Sequence, residues 1–215
     1  MELWLDTTDM DTIALGRRLG VVYGVTTNPT IIANSGRDLP TVAAALLEAQ
    51  PGPLTLQVVK ADAEGMVEEG LALHEISPRV IVKVPLTQEG LIAMRSLAES
   101  GVRIMATAAF HPNHLLLAAS VGAHYIAPYL GRMIKAGEDG FEVLATMMTI
   151  HDKHELRIKV LAAALQDADQ VAACAQLGIH AVTLKDEIFS EFVGDHPQTI
   201  KAVETFAVDW TAAFG

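Results

Sequence analysis

Short apolar runs rich in β-branched residues recur along the chain, and each is followed by a longer stretch whose apolar residues fall at helical spacing. Eight such runs predict strands: Leu3 to Asp6, Gly24 to Thr26, Leu54 to Val59, Val80 to Val84, Arg103 to Thr107, Tyr125 to Pro128, Lys159 to Ala163 and Ala181 to Leu184. Strand alternating with helix is the pattern of a parallel β/α fold. Eight strands fit a (β/α)8 TIM barrel, although a doubly wound open sheet shows the same alternation and the residues at strand ends must decide.

Capping chemistry marks the intervening helices. Asp62 with Glu64, and Thr87 with Glu89, place oxygen acceptors and negative charge where a helix begins. Gly101 and Gly178 sit where helices should end, because glycine accepts the left-handed conformation common at a helix C-terminus. Neither a long linker nor a low-complexity run interrupts the series, so one barrel domain spanning residues 1–215 is expected, with an additional C-terminal helix. That last helix carries an apolar stripe, Val203, Phe206, Ala207 and Trp210, whose ordinary reading is packing on its own barrel.

Composition supports a large core and narrows the partners. Hydrophobic residues make up 51% of the 215 residues and charged ones 19%. The formal net charge is −11, with Lys and Arg scattered, which repels a nucleic-acid backbone. Cys174, the single cysteine, lies in an apolar run and reads as a buried structural thiol. No basic region precedes an apolar stretch at Met1, and no segment approaches the ~18 uninterrupted apolar residues of a membrane helix. A soluble, cytoplasmic chain with no membrane partner is the expectation.

The active site of a barrel lies at the carboxyl ends of its strands. Polar residues gather there: Asp6, Thr26 and Asn28, Gln57, Lys83, Thr107, and Tyr129. Lys83 is the most informative, being set inside Val80-Ile81-Val82-Lys83-Val84-Pro85. Desolvation there disfavours the ammonium and favours the neutral amine that attacks a ketone to form an imine. The alternative is a structural ion pair, for instance with Asp6. Among other lysines, Lys159 starts its strand on the stability face, and Lys60 follows strand three near solvent. Lys185, at the end of strand eight, is a second amine, a phosphate partner or a solvated loop lysine. His111 with His114, and His151 with His154, have a spacing sometimes used for metals, but lack a matching acidic ligand and read as surface helix positions.

Several of these segments together carry a resemblance. Leu3-Trp4-Leu5-Asp6-Thr7, Gly24-Val25-Thr26-Thr27-Asn28-Pro29-Thr30 and Val82-Lys83-Val84-Pro85-Leu86-Thr87-Gln88-Glu89-Gly90-Leu91 resemble the small transaldolase family, which includes the fructose-6-phosphate aldolases. The match continues through Ala127-Pro128-Tyr129 with Arg132 to Phe206, Asp209-Trp210 and Ala213-Phe214-Gly215. It implies a Schiff-base aldolase in which Lys83 forms the imine with a ketone donor such as dihydroxyacetone. By the same resemblance Asp6 and Tyr129 assist proton transfer, Gln57 and Thr107 position a shared water, and Thr26 and Asn28 hold donor hydroxyls. No metal or organic cofactor is implied, since the imine delocalises the carbanion. Gln57 and Tyr129 resemble the aldolases, where transaldolases usually carry glutamate and phenylalanine. The competing readings are a transaldolase, which transfers a dihydroxyacetone unit, and a non-catalytic sugar-binding barrel.

One stretch departs from the family. After strand seven the aldolases resemble Ala-Ser-Phe-Lys-Thr-Pro-Arg, whereas this chain reads Ala163-Ala164-Leu165-Gln166-Asp167-Ala168-Asp169. A phosphate would be poorly held there, leaving Arg132 and Lys185 as substrate-binding cations. Weaker use of phosphorylated acceptors is therefore expected. In the family the last helix reaches a neighbouring subunit, so the resemblance implies a homo-oligomer, a pentamer or decamer.

Overall fold

A computed structural model describes residues 1–215. Eight parallel strands close into a barrel in sequence order: β1 (Glu2–Asp6), β2 (Gly24–Thr26), β3 (Leu54–Gln57), β4 (Val80–Pro85), β5 (Ile104–Ala109), β6 (Tyr125–Pro128), β7 (Lys159–Ala162) and β8 (Ala181–Leu184). Closure comes from pairing of β1 with β8, with Leu3 opposite Val182. The open-sheet alternative is thereby excluded. Between the strands run α1 (Met10–Leu19), α2 (Pro29–Asn34), α3 (Leu39–Ala49), α4 (Ala63–Ile76), α5 (Gln88–Glu99), α6 (Asn113–Ser120), α7 (Leu130–Lys135), α8 (Gly140–Lys153) and α9 (Asp169–Gln176). After β8 come α10 (Asp186–Phe192) and α11 (Pro197–Phe214).

Successive side chains of a strand point to opposite faces, and this alternation builds two separate cores. Val80, Val82 and Val84 join a cluster between sheet and helices, with Leu54, Leu56, Val182 and Leu184. Ile81, Trp4, Met105, Leu161 and Ala181 form a second cluster inside the barrel. Parity then fixes the next inward positions toward the carboxyl ends: Asp6 after Trp4, Lys83 after Ile81, Thr107 after Met105, and Thr183 after Ala181. Gly24 serves this lumen by its size, because a Cβ there would lie 2.8 Å from the Trp4 ring and 2.6 Å from the Pro53 carbonyl oxygen. Trp4 is fully buried. Truncating such an aromatic side chain to alanine costs roughly 3–5 kcal/mol in a packed core.

The expected caps form. Asp62 and Thr87 accept from the amides of Gly65 and Gly90 at the starts of α4 and α5. Gly101 and Gly178, both at φ 76°, follow the ends of α5 and α9.

Two strands end more than one residue away from the sequence reading, and one helix packs otherwise than expected. β3 stops at Gln57 because the amides of Val59 and Lys60 turn to the Glu69 carboxylate, 2.7 and 3.0 Å away, and Val59 is left exposed. β5 begins at Ile104 and runs on to Ala109 across an irregularity at Ala108, whose φ is +58°. α11 does not pack on its own barrel: none of its residues is buried, and Phe206 and Trp210 are 67% and 68% exposed. The apolar stripe is real, but no surface of the same chain faces it. No helix is long and apolar enough to cross a membrane.

Candidate active site

At the carboxyl ends of the strands the barrel opens into a cavity of about 660 Å³. Asp6, Thr26, Asn28, Lys83, Tyr129, Arg132 and Lys185 all line it. Gln57 and Thr107 do not. Thr107 lies fully buried behind Tyr129, its hydroxyl 3.1 Å from the phenol oxygen. Gln57 borders a smaller cavity of about 220 Å³, among Thr27, Pro29 and Leu56.

Lys83 is 4% exposed, and its Nζ donates to the carbonyl oxygen of Thr27 at 2.9 Å. No carboxylate pairs with it, since the three salt bridges of the chain are Arg95 with Glu99, His151 with Asp152, and Lys159 with Glu2. The ion pair with Asp6 considered from sequence is therefore not formed. Beside Lys83, in register on β3, stands Gln57, whose buried Oε1 has no hydrogen-bond partner.

Asp6 Oδ1 accepts the Thr26 hydroxyl at 2.7 Å, and Thr26 Oγ1 lies 2.7 Å from Thr183 Oγ1. Asn28 caps α2: its Oδ1 accepts from the Ile31 amide at 3.0 Å, with Pro29 at the first helical position. That bond uses one of the two lone pairs of the amide oxygen and leaves both amide hydrogens uncommitted.

Tyr129 follows β6 and extends its pairing through a bridge to Ala163. Its ring is held edge-on by Phe110, with centroids 5.6 Å apart, and is covered by the Arg132 guanidinium at 4.5 Å. Past β7, Ala164 adopts φ +60° and packs its carbonyl against Gly131, where a Cβ would lie 2.0 Å from that oxygen. Gln166 Nε2 donates to the Gly131 carbonyl at 2.8 Å. The loop after β7 thus braces α7 through the Ala164 carbonyl and the Gln166 side chain. Lys185, exposed, caps no backbone amide with its side chain.

Several cavity-lining residues were not singled out from sequence, among them Asn34, Glu187, Lys135 and Thr183. Lys135 lies one turn after Arg132 on α7, and Thr183 is a buried threonine within β8. The signal for Thr183 was present: it is the polar residue at inward parity, two positions before Lys185.

The rival lysines separate as expected by position. Lys159 sits at the opposite mouth with Glu2, and Lys60 is exposed. The histidine pairs are not simple surface helix positions. His111 precedes α6 and accepts from the Asn113 amide, while His114 accepts from Phe110. His151 is half-buried with its ring 4.4 Å from that of His180, and His154 ends α8. No three His, Cys, Asp or Glu side chains are grouped as metal ligands would be. Burial pushes the Cys174 thiol up to about 12.

A family model described as transaldolase/fructose-6-phosphate aldolase matches residues 3–214. The chain belongs to that family. It is 39% identical over 212 residues to a protein of Caulobacter vibrioides (strain NA1000 / CB15N) named "Probable transaldolase", covering 99% of this chain and 97% of that one. A protein of the same name from Carboxydothermus hydrogenoformans (strain ATCC BAA-161 / DSM 6008 / Z-2901) is 34% identical, with 99% of each chain covered. Among solved structures, a flavocytochrome b2 mutant superposes with a TM-score of 0.61 at 15% identity, covering 90% of this chain and 58% of that one. A mandelate oxidase mutant gives 0.59 at 12% identity, over 94% of this chain and 69% of the other. At such identities these two share the fold alone. As a transaldolase/fructose-6-phosphate aldolase family member the chain is an enzyme, and the cavity around Lys83 is its candidate active site.

Proposed function

We propose that the chain is a Schiff-base aldolase in which Lys83 is the covalent catalyst. The observation that carries this reading is a buried amine opening on a polar cavity with only a backbone carbonyl as partner. A structural lysine so placed would be expected to have found a carboxylate. The amine adds to a ketone carbonyl, water leaves, and an imine forms. Cleavage of the neighbouring C–C bond sends its electron pair into the iminium, giving an enamine and a free aldehyde. Reprotonation of the enamine and hydrolysis return the amine.

Asp6 and Tyr129, both on the cavity, are the proton carriers in this reading. Thr107 and Gln57 hold water beside them, a role supported by the Thr107 to Tyr129 contact and by the unpaired Gln57 carbonyl oxygen. Asn28 donates its amide hydrogens to the donor's oxygens, and Thr26 accepts from a donor hydroxyl. The imine is the electron sink, so this chemistry calls on no metal or organic cofactor. Borohydride reduction with dihydroxyacetone should add mass on Lys83, and Lys83→Met should abolish both the adduct and turnover. An intact Lys83→Met activity would end the proposal, and a sugar-binding barrel without catalysis would give no adduct at all.

A second reading, transfer of a dihydroxyacetone unit, is favoured by the names of the relatives. Release of free dihydroxyacetone from a ketose without added acceptor supports cleavage; turnover only with acceptor supports transfer. At the acceptor end, Arg132, Lys135 and Lys185 are the cations, while Ala164 and Gln166 supply a methyl group and an amide committed to Gly131. Non-phosphorylated aldehydes should compete well with phosphorylated ones, and a strong preference for fructose 6-phosphate over fructose would defeat this. The exposed stripe of α11 fits a homo-oligomer, pentamer or decamer, in which it covers a neighbouring subunit. Light scattering of Phe206→Glu and Trp210→Glu variants should then report smaller particles.

A further inference from the structure

Three oxygens form a continuous line from one side of the cavity: Thr183 Oγ1, Thr26 Oγ1 and Asp6 Oδ1, spaced 2.7 Å and 2.7 Å. Both threonines are nearly sealed, 4% and 1% exposed, yet both border the cavity with Asp6 and Lys83. Each hydroxyl has one proton and two lone pairs, so the sense of the line can be counted. An ionised Asp6 only accepts. Thr26 must give its proton to Asp6, and Thr183 must then give its own to Thr26. Thr183 is left with lone pairs to offer the cavity. That is the polarity needed to receive a proton from a bound hydroxyl.

We propose that Thr183 and Thr26 form a proton relay from the cavity to Asp6, with Thr183 as its entry. The inference rests on the aldol reading above and names the path taken by the proton of the hydroxyl that becomes the aldehyde. As the C–C bond breaks, that hydroxyl passes its proton to Thr183, Thr183 passes its own to Thr26, and Thr26 passes its own to Asp6 Oδ1. Three O–H bonds break and three form. Both threonines end as neutral hydroxyls, the negative charge of Asp6 is neutralised, and the electron pair of the broken C–C bond resides in the enamine. The line then points the other way, poised to return the proton when the aldehyde adds in the reverse direction.

The test uses the full-length enzyme with fructose 6-phosphate and fructose as ketoses, reading aldehyde release and borohydride trapping on Lys83 in parallel. Thr183→Val keeps the branched shape and removes the hydroxyl. It should still be trapped on Lys83 with an unchanged KM, while kcat for aldehyde release falls roughly 100-fold, within the range of general acid–base catalysis. Thr183→Ser should restore kcat to within about threefold, since only the hydroxyl matters. Thr183→Ala provides the same loss should the valine variant fold poorly. The Thr26→Val/Thr183→Val pair should be no slower than Thr26→Val alone, as expected of links in one chain. A Thr183→Val or Thr183→Ala enzyme that releases aldehyde at the parent rate overturns the relay while leaving the imine intact. A serine variant as slow as the valine one also overturns it, because shape rather than the hydroxyl would then be responsible. Absence of trapping in the parent enzyme is the separate result that removes the aldol reading, and the relay with it.

Discussion

At the amino-terminal mouth of the barrel the Glu2 carboxylate accepts from Trp4 Nε1 at 3.1 Å, from Tyr125 Oη at 3.0 Å, and from Lys159 Nζ. At the carboxyl-terminal mouth the Lys83 amine has one carbonyl, Asp6 has one hydroxyl, and the Gln57 carbonyl oxygen has nothing. Each end presents an inward lysine. Lys159 is partly solvated, with its Nζ 5.6 Å from the centre of the Tyr125 ring and paired to a carboxylate. Lys83 is more deeply buried and less compensated. The first arrangement closes the lumen and satisfies its polar groups, whereas the second leaves polar capacity for a ligand to complete. Side chains in that condition lower stability relative to apolar ones, and such groups cluster at functional sites.

Lys83→Met probes the contrast most sharply. Turnover should fall by at least ~10³-fold, as for loss of other covalent nucleophiles, while thermal unfolding followed by calorimetry moves upward or stays level. A marked drop in melting temperature would mean that Lys83 is structural and that the two mouths do not differ in kind. Tyr129→Phe comes next. It removes the hydroxyl that meets Thr107 but keeps the ring between Phe110 and Arg132. A 10- to 100-fold loss of aldehyde release with unaltered trapping is expected for loss of a proton carrier, and steady-state kinetics beside mass spectrometry would read it.

The barrel was legible because strand alternation separates two cores, and each apolar run carried its inward and outward residues in turn. Gly24–Thr26 and Tyr125–Pro128 show the same bounds in sequence and structure. The end of β3 was not legible, since Val58 and Val59 look like continuing strand and only the distant Glu69 carboxylate turns the backbone away. Closure into a cylinder also brought Thr183 to Thr26, residues 157 positions apart, which no local pattern announces. The cavity lining was readable for residues at strand ends such as Asp6 and Lys83. Gln57 stands in register with Lys83 as its strand position suggests, while its side chain borders the neighbouring apolar cavity, a placement set by packing that strand parity does not announce. For α11 the stripe was visible, but the packing on its own barrel that such a stripe ordinarily signals does not form.

Glu2→Gln tests the paired mouth. It removes the charge that Lys159 and Tyr125 meet, so the melting temperature should fall, by roughly 2–4 °C if the loss is about 1 kcal/mol, with turnover unaffected. A loss of activity as large as that of Tyr129→Phe would show the two ends to be coupled. Tyr125 adds a pH test. Burial first, and then the Glu2 carboxylate, push its phenol above the ordinary value of 10.0. The folded state therefore keeps a proton that the unfolded chain gives up near pH 10. Stability from this group is present below that pH and is lost as pH rises beyond it. Melting curves from pH 8 to 11 should decline for the parent and decline less for Tyr125→Phe.

The smallest expected effect lies at acid pH beside the same mouth. His180 accepts the Val160 amide at Nδ1, 3.1 Å away, which requires that nitrogen to be unprotonated. Burial first, then the nearby His151, hold His180 below its ordinary value of 6.5. The unfolded chain thus binds a proton near pH 6.5 that the folded chain refuses, so stability is present above that pH and is lost as pH falls below it. His124, which accepts from the Ile104 amide, is shifted the same way by burial. His180→Asn retains an acceptor oxygen near the position of Nδ1 without a titrating ring. Its melting temperature should be slightly below the parent's at pH 7.5 and should change less between pH 7 and 5. Because His180 caps the closed mouth, its substitution should leave aldehyde release and Lys83 trapping unchanged; a kinetic effect comparable to that of Thr183→Val would mean that the closed end of the cylinder communicates with the open one.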